Sequence, residues 1–256
     1  MPHPVRQRIF ITGASAGLGE GMARRFAVMG RDLALVARRV DRLEALRDEL
    51  LSAHPGIRVE VAALDVDDVD AVATVVPELA GRLGGIDRFI ANAGLGKGAP
   101  VGTGGARPNR QVLVTNIIGT HATCEAAMEL FRAQGSGHLV VLSSVAGVRG
   151  MGGTRTAYAT SKAADAVLAE GIRAELLHAG LARRIAVTTV HPGFIETDIN
   201  TGRRGPFTVG LEQGVGALVT AIEREPVRAY VPEWPWRAVA GLMRALPLPV
   251  LSRFAG

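Results

Sequence analysis

The chain has 256 residues, 48% of them hydrophobic, with a mean hydropathy of +0.22, which describes a globular protein long enough for one large α/β domain. Its formal net charge of +5 is modest, and the arginines are dispersed along helical segments, which argues against a nucleic-acid surface. A single cysteine, Cys124, excludes an intramolecular disulfide and fits a reducing, cytoplasmic setting.

The opening residues, Met1-Pro-His-Pro-Val-Arg6, lead almost directly into a strand and have the features of neither a signal peptide nor a transit peptide. No apolar run reaches the length of a membrane span. Arg8–Thr12 is a short apolar run that reads as a buried strand. Gly13-Ala-Ser-Ala-Gly17-Leu-Gly19 follows at once, and helical periodicity begins at Glu20. Strand, Gly-rich turn and helix N-terminus together form a phosphate site: the glycines admit the backbone close to a pyrophosphate, and the helix end supplies free N–H groups. The spacing is G-x-x-x-G-x-G, and a tight structural turn is the alternative reading.

Asp32–Ala37 is the second strand, ending in Arg38 and Arg39. Dinucleotide folds that take NAD place an acid here against the ribose 2′-OH, whereas Arg accommodates a 2′-phosphate. The arginines favour NADP; the alternative is that they merely open the next helix and that Asp41 faces the ribose. A helix over 41–51 and a strand over 57–64 come next. Asp65 and Val66 end that strand, and Asp67 is the expected cap of a helix running to about Leu83. Residues 86–90 form the fourth strand, followed by Asn92-Ala93-Gly94. The β-α alternation with short loops predicts a parallel sheet covered by helices on both faces.

Residues 95–110 read as a loop carrying Lys97, and 111–133 as a long helix interrupted by Gly119, with Asn116 near its start. Gly137–Leu142 is the fifth strand, ending in Ser143-Ser144, with a loop over 145–153. The next helix carries Tyr158 and Lys162, four residues apart and therefore on one helical face. A phenol ordinarily ionises near pH ~10, and a neighbouring ammonium favours its ionised form, which makes the pair a proton donor and acceptor closer to neutrality. Composition sharpens this: of 29 basic residues only Lys97 and Lys162 are lysines. A Lys in an Arg-rich chain marks a place where Arg's wide fork does not serve. The alternative is a snorkelling Lys beside a buried Tyr. Residues 184–190 form a sixth strand, and His191 before Pro192-Gly193 reads as structural.

These pieces, Thr12-Gly-Ala-Ser-Ala-Gly-Leu-Gly19, Asp65, Asn92-Ala-Gly94, Asn116, Ser143-Ser144, Tyr158-x-x-x-Lys162 and Pro192-Gly193 with Thr197, stand in the order of the short-chain dehydrogenase/reductase family, which the sequence resembles over roughly residues 8–231. The resemblance implies one doubly wound Rossmann-type α/β domain, a parallel sheet of about seven strands with helices on both faces. It implies a nicotinamide cofactor and hydride transfer to or from a carbonyl carbon. Tyr158 is then the proton donor or acceptor, and Lys162 lowers the phenol pKa and binds the nicotinamide ribose. Ser144 holds the substrate oxygen, and Asn116 anchors a water linking Lys162 to solvent. Gly13, Ser15, Gly17, Leu18 and Gly19 line the pyrophosphate turn. Asp65 and Val66 meet the adenine, and Asn92, Ala93 and Gly94 the adenosine ribose. Pro192, Ile195 and Thr197 lie on the nicotinamide side, the last two meeting carboxamide and phosphates.

A single domain over 1–256 is expected, with a substrate lid over 198–225 that includes Arg203 and Arg204. A C-terminal extension over 232–256 is expected to form an amphipathic helix with Val239, Leu242, Met243 and Leu246 on one side. That extension is read as a pocket cover or a subunit contact, ahead of an interfacial membrane anchor. The expected protein is a cytoplasmic, NADP(H)-dependent carbonyl reductase or alcohol dehydrogenase, a homodimer or homotetramer with a small-molecule substrate and no metal. The alternatives are an NAD-dependent secondary-alcohol dehydrogenase and a non-catalytic dinucleotide-binding interaction protein.

Overall fold

Seven predominantly apolar strands form one parallel sheet in the computed structural model, which describes residues 5–96, 98–197 and 207–251. They are β1 (Arg8–Thr12), β2 (Asp32–Ala37), β3 (Val59–Ala63), β4 (Arg88–Ala91), β5 (Gly137–Leu142), β6 (Ile185–Pro192) and β7 (Arg228–Val231). Their spatial order is β3-β2-β1-β4-β5-β6-β7. The order reverses direction between β1 and β4, and such a reversal opens a crevice at the carboxyl ends of the strands. Every residue of β2, β4 and β5 is buried, as a parallel sheet covered on both faces requires.

Alternate side chains feed two cores. Phe10, Ala34, Val36 and Phe89 point to one face, and Ile9, Ile11, Leu33 and Leu35 to the other. The first core is closed by α3 (Val69–Leu83), α5 (Thr120–Gln134) and α6 (Thr156–His178). The second is closed by α1 (Gly17–Val28), α2 (Val40–Ala53) and α7 (Leu211–Glu223). Phe10 and Phe89, register partners on neighbouring strands, stack with centroids 4.5 Å apart. Each such fully buried ring contributes roughly 1.5–3 kcal/mol.

β1, β2 and β5 have the bounds expected from sequence, and the structure corrects three local expectations. Asp68, not Asp67, caps α3, its carboxylate accepting from Ala71 N at 3.0 Å; Asp67 instead accepts from Gln111 and Thr115. The expected loop over 95–110 ends early, because α4 (Ala106–Leu113) already starts at Ala106. Pro108 in its first turn is no obstacle, since the N–H it lacks would have had no helical partner. In α8 (Glu233–Ala245) the inward face is Trp236, Val239, Ala240 and Met243, while Leu242 is 58% exposed. A last short helix, α9 (Leu248–Leu251), follows. Of the expected lid, 198–206 with Arg203 and Arg204 lies outside the described residues, as does Lys97, and 211–223 is α7, packed on α1. Among the described residues no helix is long and apolar enough to cross a membrane.

Candidate active site

The crevice at the strand ends is a cleft of about 470 Å³. Its floor begins where β1 turns into α1. Gly13 has φ +67°, and a Cβ there would lie 2.9 Å from Ala93 Cα, so only glycine lets the turn pass β4 this closely. Thr12 Oγ1 accepts from both Asn92 N and Ala93 N at 3.0 Å, and Asn92 Nδ2 donates to Thr12 O at 2.8 Å. These bonds lock the β1 and β4 ends together. Gly13, Ser15, Gly17 and Leu18 line the cleft. Gly19 does not: it is packed against the Gly13 carbonyl, where a Cβ would collide. The first N–H groups of α1, which have no helical acceptors, open at this turn.

Arg38 and Arg39, at the end of β2, also line the cleft. Arg39 donates to Ser15 Oγ at 3.1 and 3.3 Å, bracing the glycine turn. Arg38 is left with a 57% exposed side chain whose guanidinium lies 3.9 Å from Asp65. Asp65 and Val66 complete this wall, together with Asn92, Ala93 and Gly94. Asp41 is not among the lining residues.

The opposite wall is chemical. α6 presents Tyr158 and Lys162 to the cleft, one turn apart. Tyr158 is half-buried, and among the described residues its hydroxyl has no hydrogen-bond partner. Lys162 is buried: Nζ donates to Leu142 O at 2.8 Å and to Asp165 Oδ2 at 2.9 Å. Burial pulls the Lys162 pKa down, but the charges of Asp165 and Tyr158 and the hydrogen bond to Asp165 outweigh it and hold it above the usual lysine value. Close packing fixes the pair, since Gly147, in a 3₁₀ turn over Val145–Val148, lies against the Lys162 backbone with no room for a Cβ.

Ser143 and Ser144 leave β5 at the cleft. Ser143 Oγ donates to Lys162 O at 2.6 Å, tying strand to helix. Ser144 Oγ accepts from Ala146 N at 3.1 Å, and its long 3.4 Å bond to Pro192 O is readily exchanged for a ligand. Asn116 is absent from the cleft wall. It sits in a π-helical turn, Val114–Gly119, between α4 and α5, where its side chain clamps Leu95: Oδ1 accepts from Leu95 N at 2.7 Å, and Nδ2 donates to Leu95 O and Ser161 Oγ at 2.9 Å. Both amide hydrogens are thereby spent on protein partners. Gly94 separates this clamp from Lys162, its absent Cβ falling 3.2 Å from Asn116 Oδ1 and 3.6 Å from Lys162 Nζ.

His191 is a scaffold residue. Nδ1 lies 3.1 Å from the Ser144 carbonyl, which only accepts, so the proton is on Nδ1 and Nε2 is bare and unpartnered. Burial pushes its pKa down to about 4, against the Ser144 hydrogen bond, with Arg228, Arg244 and Arg173 adding to the fall. Beyond it, Pro192, Gly193, Ile195 and Thr197 line the cleft. The Trp236 indole lies directly on Gly193 and meets Phe194 edge-on at 5.1 Å, so α8 covers this end of the cleft wall. Sequence reasoning missed Asp165 and the Leu142 carbonyl. The signal for Asp165 was its i,i+3 spacing from the rare lysine; nothing local marks a backbone carbonyl.

A glycine turn without room for side chains, a free helix N-terminus and an exposed Arg at the end of β2 fit a dinucleotide. The family model for short chain dehydrogenase matches residues 7–205. An uncharacterized oxidoreductase of Mycobacterium tuberculosis is 49% identical over 251 residues, 98% of each chain. Among solved structures, a short-chain dehydrogenase from Sphingobium yanoikuyae in complex with NADPH superposes with a TM-score of 0.78 at 28% identity, covering 97% of both chains. A short chain dehydrogenase/reductase from Burkholderia phymatum in complex with NAD shares the fold, with a TM-score of 0.80 at 21% identity over 93% of this chain and 92% of that one. The chain belongs to the short-chain dehydrogenase/reductase family of oxidoreductases.

Proposed function

We propose that the protein is an NADP(H)-dependent oxidoreductase acting on a carbonyl or secondary-alcohol carbon, with Tyr158 as proton donor or acceptor. The observation that carries this reading is the convergence of Tyr158, Lys162 and Ser144 on the cleft that the glycine turn also lines. When bound, the nicotinamide supplies or takes the hydride. Tyr158 gives its hydroxyl proton to the carbonyl oxygen in reduction and takes a proton from the alcohol in oxidation. The Lys162 ammonium lies one turn away, and its remaining N–H serves the cofactor ribose. Ser144 Oγ holds the substrate oxygen, and Asn116 keeps Leu95 and the helix carrying Ser161 in place around them.

Gly13, Ser15, Gly17 and Leu18 receive the pyrophosphate, Asp65 and Val66 the adenine, Asn92 to Gly94 its ribose, and Pro192, Ile195 and Thr197 the nicotinamide side. NADP preference rests on Arg38, whose exposed guanidinium is the group available to a 2′-phosphate. The protein is read as a cytoplasmic homodimer or homotetramer, as the family resemblance suggests.

Fluorescence titration with NADPH and with NADH tests the reading without a substrate. Micromolar NADPH binding with much weaker NADH binding is expected; equal affinities remove the NADP preference. Absence of binding to either would leave a non-catalytic interaction protein.

A further inference from the structure

Lys162 lies deeper than a proton donor's neighbour needs to be, and its charge is not left to solvent. Its side chain is 7% exposed and that of Asp165 is 1% exposed, with Nζ and Oδ2 2.9 Å apart. Moving one charge of such a pair out of water is costly, and a buried amine without a counter-charge sheds its proton instead. The groups facing this pair come from four directions. On α6 itself they are Tyr158 and Asp165; from β5 they are the Leu142 carbonyl and Ser143. From α5 the Thr120 hydroxyl donates to Asp165, and the buried Cys124 thiol is held protonated by burial and by the Asp165 charge. From the π turn comes Asn116, neutral and engaged with Leu95 and Ser161. Asp165 is therefore the anion in contact with Nζ on every side described.

We propose that Asp165 is a positioning residue for the Tyr158–Lys162 pair: its carboxylate is the built-in counter-charge that keeps the buried Lys162 amine an ammonium and aims its third N–H at the cleft. The inference rests on the reading of Tyr158 as the proton donor. An ammonium has three donors. Two are fixed, to Leu142 O and Asp165, and the residue lines the cleft, so the third is held toward the ligand side without a search. The carboxylate is itself held in place by Thr120. Burial pushes the Asp165 pKa up, against the opposing pull of Lys162 and Thr120, so the carboxylate leans on the ammonium as much as the ammonium leans on it.

The test exploits composition. Lys97 and Lys162 are the two lysines of the chain, so 15N labelling at lysine Nζ gives two side-chain signals, and Lys97→Arg leaves one. In the Lys97→Arg protein the Lys162 signal should remain that of an ammonium past the ordinary lysine midpoint, and adding Asp165→Asn should lower its midpoint by at least about two pH units. Asp165→Glu, which restores a carboxylate, should bring the midpoint back to within about one unit. An unchanged midpoint in Asp165→Asn protein with wild-type circular dichroism overturns the proposal. If that variant does not fold, the Asp165-intact protein still decides, because a Lys162 midpoint below the ordinary lysine value overturns it directly. The titration needs no turnover, so it succeeds or fails separately from the redox reading, which Tyr158→Phe tests.

Discussion

The two ends of the sheet both bury charge, and they do so in opposite ways. At the amino end, Arg88 at the start of β4 is 1% exposed, ion-paired with Glu223 and with Glu225. Glu225 also takes a two-pronged bond from Arg6 at 2.7 and 3.0 Å. Arg88 Nε donates to His138 Nδ1 at 2.9 Å, His138 Nε2 then donates to Thr188 Oγ1 at 2.9 Å, and Thr188 donates to Pro226 O at 2.7 Å. Donors run in one direction from guanidinium to carbonyl, and both nitrogens of His138 are used. At the carboxyl end, the buried Lys162 spends two of its three N–H groups on Leu142 O and Asp165, Tyr158 has no partner among the described residues, and Ser144 has a long bond. The comparison teaches that a charge network is structural when every donor is consumed inside it. It becomes a site when some donors are left pointing at a cleft.

Four measurements test that contrast. Tyr158→Phe at the open end should lower turnover of any carbonyl the enzyme reduces by about 10²–10⁴-fold while NADPH affinity holds. Substantial residual turnover would remove Tyr158 as the acid. Arg88→Met at the closed end removes the cation that Glu223 and Glu225 share, and should cost roughly 3–5 kcal/mol in urea unfolding with no change in NADPH affinity. A loss below about 1 kcal/mol would show that the network is dispensable.

His191 supplies a pH signature. Its folded pKa of about 4 lies below the ordinary 6.5, so as the pH falls the unfolded chain takes up a proton first. The stability is therefore full above pH 6.5 and is lost progressively on descent to about pH 4, by roughly 3 kcal/mol. His191→Asn should flatten that part of the stability–pH curve; a curve parallel to wild type would contradict the depressed pKa. The smallest effect belongs to Arg38→Asp, which should shift the NADPH to NADH affinity ratio by about 10–100-fold toward NADH through the loss of a charge-assisted bond. An unmoved ratio assigns the 2′-phosphate elsewhere.

Legibility from sequence followed the range of the forces involved. β2 and β5 were readable to the residue because a strand buried on both faces is predominantly apolar. Gly13, Tyr158 and Lys162 were readable because a glycine turn after a strand and an i,i+4 pair are local patterns. The start of α4 was hidden by Gly102, Gly104, Gly105 and Pro108, residues that signal loops in general and here precede or tolerate a first helical turn. The true α3 cap was one residue from the expected one, a choice settled by where Gln111 and Thr115 arrive from elsewhere in the chain. The Asn116 clamp and the Asp165 counter-charge were hidden for the same reason. A polar residue inside a helix reads as exposed until tertiary packing shows which side is covered.

The π turn over Val114–Gly119 has a geometric consequence for the rod that contains it. Each residue of an α-helix advances the azimuth by about 100°, so one extra residue in a turn sets everything after it a quarter-turn or more out of phase. The segment before it, α4, lies against α6, and the segment after it, α5, lies against α3. One continuous length of helix thus works as a crankshaft, with its throw located at Asn116. Removing a single residue from the turn would re-time the two halves. Either the carboxamide would swing off Leu95, or Cys124 and Phe131 would be carried out of the core.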